Sequence, residues 1–294
     1  MLDAAPAAHS EPAHPVAQPP LPRIDGAVVL RFRERNGRTF VSDRGERGSA
    51  RLRLPRMPDD VPPEAVFINL GGGLTDGDHL TFDLALDAAA RATCTGQAAE
   101  KIFRSRGAPS VVTTNIRLAE AAGLAWLPQE SILFDGANLR RQINVEMDGT
   151  ARFVGCEAAI LGRVARGERV RTGTLIDRWR VRVDGRLVWA DSLQLTGAVD
   201  SLAQRTGLLD GGRAFGTVVY AGADAEILLA AVRELVADLG ETVRAGVSLR
   251  PGLLLLRFIA GSGQPLREAL AQVLPSLREA AGAGPRAMPR VWAC

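Results

Sequence analysis

Two hundred and ninety-four residues suffice for one large domain or two ordinary ones, and for a core that needs neither disulfides nor a structural metal. The 36 basic residues against 33 acidic leave a net charge of +3, too small and too evenly spread for a nucleic-acid surface. Every basic residue but Lys101 is an arginine, which reads as a compositional bias rather than a binding patch. Three histidines (His9, His14, His79) and three separated cysteines (Cys94, Cys156, Cys294) are too few for a closed zinc or nickel site. The cysteines, odd in number and without a CxxC, predict reduced thiols in a cytoplasmic compartment. No apolar run reaches the roughly 20 residues of a membrane span, and the N-terminus lacks the basic-then-apolar pattern of a secretory signal.

Residues 1–22, with prolines at 6, 12, 15, 19, 20 and 22, predict a disordered tail in which His9 and His14 lack a third ligand. From Ile24 to about Phe258, short alternating or apolar runs bounded by turn residues predict strand after strand. Among them are 27–32, 50–54, 66–70 and 79–87, the last with Leu80, Phe82, Leu84 and Leu86 on one face. Asp184-Gly185, between 179–183 and 186–189, predicts a type I′ hairpin. Turn signals recur about every 8 to 12 residues, as in a sandwich, barrel or solenoid, without an exact internal repeat. Two helices are expected near the C-terminus, at about 225–239 and 265–280, with 252–258 as a central strand between them. The first puts Ile227, Leu228, Ala231, Leu235 and Leu239 on one stripe behind an N-cap Asp224; the second should kink or split at Pro275. These elements predict one large β domain over 23–294 with a small helical closure.

The run Gly71-Gly72-Gly73-Leu74-Thr75-Asp76-Gly77 follows a strand, as a phosphate-binding loop would. No Lys-Ser/Thr follows it, and the next segment alternates with period two instead of opening a helix, so a tight turn is expected. No GxSxG elbow occurs, and His79 is the sole histidine outside the tail that could serve a triad. What remains is a set of carboxylates: Asp76, Asp78, Glu130, Asp135, Glu157 and Glu168. Glu130 and Asp135 stand between apolar residues, where a charge is costly unless paired. Either each pairs with an arginine, or they line a polar passage whose oxygen ligands hold late first-row divalent ions loosely enough for transit. Residues 93–105 predict a surface loop and a strand start. A β-rich hydrolase or carbohydrate-binding protein using a carboxylate pair is the alternative.

Taken together, several blocks resemble the UreD (UreH) urease accessory family. They are Asn69 to Leu74 with Gly71, Gly72 and Gly73, then Gly77-Asp78 and Asp83, and Thr95 to Ser105 with Gln97, Ala98, Lys101 and Arg104. Leu127 to Glu130 with Gln129, Leu133 to Ala137, Gly162-Arg163, Ala165, Gly167-Glu168, Asp177-Arg178 and Pro289 to Trp292 follow in register. Glu100 stands where that family usually has Thr, and Phe103 where it often has Tyr. The resemblance implies an all-β-dominated fold, a β-helix-like winding of many short strands with two α-helices near the C-terminus. It implies no enzymatic activity and no tightly bound cofactor. It implies instead a scaffold that binds urease apoprotein and the accessory protein UreF, and through UreF the GTPase UreG. Nickel(II) passes transiently through an internal channel to urease in that picture.

Overall fold

A computed structural model describes residues 23–163 and 166–293; the expectations for the tail, His9, His14, Ala165 and Cys294 lie outside these residues. The chain opens with the antiparallel hairpin β1 (Asp25–Arg35) and β2 (Arg38–Arg47), then β3 (Ala50–Arg53) and β4 (Glu64–Asn69). It next winds between two sheets. β5 (His79–Leu86) lies in the first, and β6 (Arg91–Gly96) and β7 (Glu100–Ile102) in the second. β8 (Ser110–Leu118) returns to the first, β9 (Gly123–Leu127) and β10 (Ser131–Leu133) to the second. β11 (Asn138–Met147), β12 (Arg152–Leu161) and β13 (Gly173–Val183) alternate likewise. The hairpin partner β14 (Arg186–Gly197) and the short helix α1 (Val199–Ala203) follow. Then come β15 (Ala214–Ala221), α2 (Ala225–Ala237), β16 (Val243–Arg250), β17 (Leu253–Ala260) and α3 (Gly263–Ala280).

The first sheet has the order β14-β13-β11-β8-β5-β1-β2; the second runs β16-β17-β15-β12-β9-β6-β4-β3, with β7 and β10 pairing at its side. Parallel neighbours cannot be joined by a tight turn. Here the strand of the opposite sheet serves as the crossover, which makes each winding a coil of the expected β-helix-like kind. His79 stands beside Val111, Ser110 beside Leu139 and Asn138 beside Thr174, offsets of 32, 29 and 36 residues. Unequal coils leave no sequence period to find. The two hairpin turns of the first sheet sit at positive φ: Asp184 at 49° and Gly185 at 75°, and Asn36-Gly37, a second turn of the same chemistry, at 55° and 79°.

Alternation along the strands sends one set of side chains between the sheets; the other set faces outward on the first sheet and toward α2 and α3 on the second. Leu84, Ile143, Phe153, Trp179 and Val181 pack in the first core; Val154, Val218, Leu254 and Leu256 meet Leu266, Leu270 and Leu274 of α3 in the second. Two helical expectations need correction. α2 turns Ala225 and Val232 to the sheet, while Ile227 is 81% exposed and Ala231 also faces out. Glu226, Arg233 and Glu234 share the exposed face, and Ala225 and Val232 lie on the face opposite, against β16 and β17. The charges therefore mark the rotation that the apolar stripe through Ile227 and Ala231 missed. Asp224 holds the expected N-cap position, but its side chain makes no capping bond: its carboxylate accepts from Tyr220 Oη (2.7 Å) and Arg152 Nε (3.0 Å). Pro275 does not split α3. Fully buried Leu270, Leu274 and Leu277 surround it, and each such side chain stabilises by about 1.5–3 kcal/mol, enough to offset the proline. Residues 93–105 are a surface loop and strand start only from Gln97 onward, where exposed Gln97 and Ala98 lead into β7; Thr93, Cys94 and Thr95 are buried in β6. Among the described residues, no helix is long and apolar enough to cross a membrane.

One ion pair ties the C-terminal helix to the second sheet. Arg278 of α3, 1% exposed, donates to Glu64 Oε1 (2.7 Å) and Thr93 Oγ1 (2.8 Å) and to the carbonyl of Ala287. Glu64→Gln should strand that guanidinium and lower the unfolding free energy by about 3 kcal/mol or more in urea titration. An unchanged midpoint would show that Arg278 keeps its charge without Glu64.

Candidate functional site

β11 turns Leu139, Arg141, Ile143 and Val145 into the space between the sheets, and β13 does the same with Leu175, Asp177, Trp179 and Val181. Parallel register sets Arg141 directly beside Asp177. Its guanidinium forks onto that carboxylate, with Nη2–Oδ2 at 2.6 Å and Nε–Oδ1 at 3.3 Å. β12 presents Glu157, which ion-pairs with Nη1 of the same arginine and accepts from Trp126 Nε1 at 3.1 Å. Nη1 also donates to Ser131 Oγ at 3.2 Å. The three charged side chains are 4%, 3% and 9% exposed, so one buried guanidinium serves two buried carboxylates. Burial pushes the Glu157 carboxyl above the ordinary range against the pull of Arg141, and Asp177 pushes it the same way.

Cavities open on both sides of this group. One, about 250 Å³, is walled by Phe67, Phe82 and Trp126, whose rings lie 5.0–5.6 Å apart, and reaches Arg141 and Glu157; its exposed rim is Gln97, Ala98 and Lys101. Glu100 also lines it. Burial pushes that carboxyl up to about 7, and Asn69 Nδ2 donates to it at 3.1 Å. The other cavity, about 190 Å³, is walled by Trp179, Leu195, Phe215 and Phe258 and reaches Asp177 and Glu157; its exposed rim includes Leu208 and Arg257. Glu157 is the one residue lining both.

The other expected carboxylates are dispersed. Asp78 is buried and accepts from the backbone N–H groups of Ile24 and Thr75, both at 2.8 Å, bracing the glycine turn. Asp76 accepts from the Arg106 N–H at 2.6 Å. The turn itself needs its glycines. Gly72 and Gly73 have φ of 71° and 149°, and a Cβ at Gly73 would lie 2.3 Å from the Phe103 ring. Glu130, 1% exposed, binds Arg267 Nη2 at 2.5 Å, and the same nitrogen reaches Gln129 Oε1 at 2.8 Å; Glu130 Oε1 is buried without a hydrogen-bond partner. Asp135 is held by Arg104 (3.2 Å) and Arg171 (2.9 Å), and Glu168 by Arg163 (2.7 Å), which stacks 4.3 Å over Phe134. Among the described residues, no three His, Cys, Asp or Glu side chains gather as a metal site. Sequence reasoning named Glu157 but not Arg141 or Glu100 as site residues, and met Asp177 solely within a family block. The signal was present: Arg141 and Asp177 each fall in phase with an apolar alternation.

Residues 25–293 match the family described as UreD urease accessory protein. The chain belongs to the UreD family. It is 40% identical over 270 residues to urease accessory protein UreD of Rhizobium leguminosarum bv. trifolii strain WSM2304, covering 92% of this chain and 95% of that one. Against UreD of Methylobacterium sp. strain 4-46 it is 40% identical over 288 residues, 97% and 98% of the two chains. Against UreD 2 of Methylorubrum populi it is 41% identical over 274 residues, 92% and 90%. UreD proteins are urease accessory proteins, factors of maturation and not enzymes, so the hydrolase alternative falls.

Glu100 carries a pH signature. Its folded pKa of about 7 exceeds the ordinary 4.5, so the folded state holds a proton that the unfolded chain releases between these values. That contribution to stability is complete below pH 4.5 and is lost as the pH rises through about 7. Glu100→Gln stays neutral throughout, so its urea midpoint should fall less than the parent's across this window. Equal falls would show Glu100 to be solvated.

Proposed function

We propose that this chain is the scaffold on which urease apoprotein receives nickel, and that nickel(II) crosses it between the two sheets as transient cargo. The observation that carries this reading is the pair of cavities meeting at Glu157. Beside the cations Lys101, Arg141 and Arg257, their linings offer carboxylate, amide and hydroxyl side chains rather than imidazole or thiolate, a donor set that holds nickel(II) loosely. Urease apoprotein, UreF and, through UreF, the GTPase UreG are the proposed partners, in the cytoplasm.

Glu157 is the proposed stepping stone, with Glu130 supplying a bare buried oxygen near the C-terminal helix. Asp76, Asp78, Asp135 and Glu168 are proposed as outlying carboxylates that the ion meets on approach or exit. Affinity should be micromolar or weaker, about 8 kcal/mol, which leaves delivery to a stronger urease site downhill. His9 and His14 are not required for it.

Deleting the gene should leave urease synthesised but nickel-poor and nearly inactive under limiting nickel. Normal nickel content in urease from the deletion strain would contradict the reading. Glu157→Gln, restored to that strain, should melt at a lower temperature because Arg141 loses a buried partner, yet still fold and assemble with urease and the accessory proteins while activating urease less. Loss of the complex would assign Glu157 to assembly.

A further inference from the structure

We infer that Arg141 occupies a cation seat, so that Glu157, Asp177 and the Ser131 hydroxyl bind a divalent metal ion when its guanidinium swings away. The inference rests on the conduit reading above and adds a site and a gate to it.

Three observations carry it. The first is charge. Two carboxylates buried between sheets face one guanidinium, so the group balances only while one carboxyl keeps its proton, whereas a divalent ion would balance both in ionised form. The second is room. Arg141 lines the first cavity, Asp177 the second and Glu157 both, so the ion pair sits at the constriction between two voids instead of being packed on all sides. A guanidinium can withdraw only into space, and here space adjoins it. The third is the donor set. The oxygens that hold Arg141 come from three strands, β10, β12 and β13, and converge on its guanidinium. Withdrawal would leave two carboxylates and a hydroxyl directed at one point, ligands suited to a divalent ion held weakly. With Arg141 in place the two cavities are separated by a cation, which repels another; with it displaced, the ion takes over the partners of the gate. Passage then becomes an exchange of one cation for another, and the buried carboxylates are not left bare.

The test uses the purified full chain and nickel(II) alone, with magnesium(II) as the control ion. Arg141→Met removes the occupant and keeps a stem of similar length. It should bind one nickel ion at least tenfold tighter than the parent in equilibrium dialysis. Arg141→Met combined with Glu157→Gln should lose that gain. If Arg141→Met binds nickel no tighter than the parent, or if the double variant binds as tightly, the seat is overturned. If Arg141→Met is unfolded without metal, refolding on addition of nickel, with or without an equal response to magnesium, supports the seat, and failure to refold with nickel overturns it. The underlying reading fails separately. Tightened binding in Arg141→Met, together with normal nickel content in urease from the deletion strain, would keep the seat and remove the conduit. Unchanged binding with nickel-poor urease would do the reverse.

Discussion

A guanidinium held between two carboxylates in the space between two sheets is the interaction around which this molecule is arranged. Removing three charges from water is costly, and the cost is tolerable because Arg141 forks onto Asp177 and pairs with Glu157, while Trp126 and Ser131 complete the hydrogen bonding. That geometry needs β11 and β13 in parallel register and β12 facing them, a placement that the coil winding supplies and an antiparallel meander would not. It also explains why the core is not closed at this point. Apolar side chains fill the space between the sheets elsewhere, but around the ion pair they stand back as two cavities.

The arginine bias takes on a structural meaning here. Arg141, Arg267 and Arg278 each bridge elements distant in sequence, and two of them, with Glu130 and Glu64, fasten the C-terminal helix to the second sheet. A planar fork with several donors can satisfy a carboxylate and a hydroxyl together, as Arg278 does with Glu64 through Nη2 and Thr93 through Nε. Lysine, a point charge, could not hold the same set. The carboxylates flanked by apolar sequence are therefore mostly arginine partners, and Glu157 differs from Asp135 and Glu168 less in pairing than in where it is buried.

Much of this was legible in the residues. Alternation gave the strands, Asp184-Gly185 the hairpin, and the glycine run a turn rather than a phosphate cradle, because period two resumes directly after it. The winding was legible through the family resemblance alone, since its coils differ in length and carry no repeated sequence. The apolar stripe misplaces the rotation of α2, because it sets Ile227 and Ala231 inward although Glu226, Arg233 and Glu234 mark the outward face beside them. The central ion pair lay in view but unread. Leu139-Arg140-Arg141-Gln142-Ile143 and Leu175-Ile176-Asp177-Arg178-Trp179 each place a charge on the apolar phase of a strand. Only the pairing of β11 with β13 shows that the two charges meet. Sequence patterns fix which face a residue takes; its partner on the neighbouring strand is a fact of register.

The most direct test of a route through the interior is anomalous X-ray scattering at the nickel edge from crystals of the full chain soaked in nickel(II). The expected result is a peak between the two sheets beside Glu157, reduced when Glu157 is changed to Gln. Peaks confined to the outer surface or to the N-terminal histidines, with none between the sheets, would contradict it.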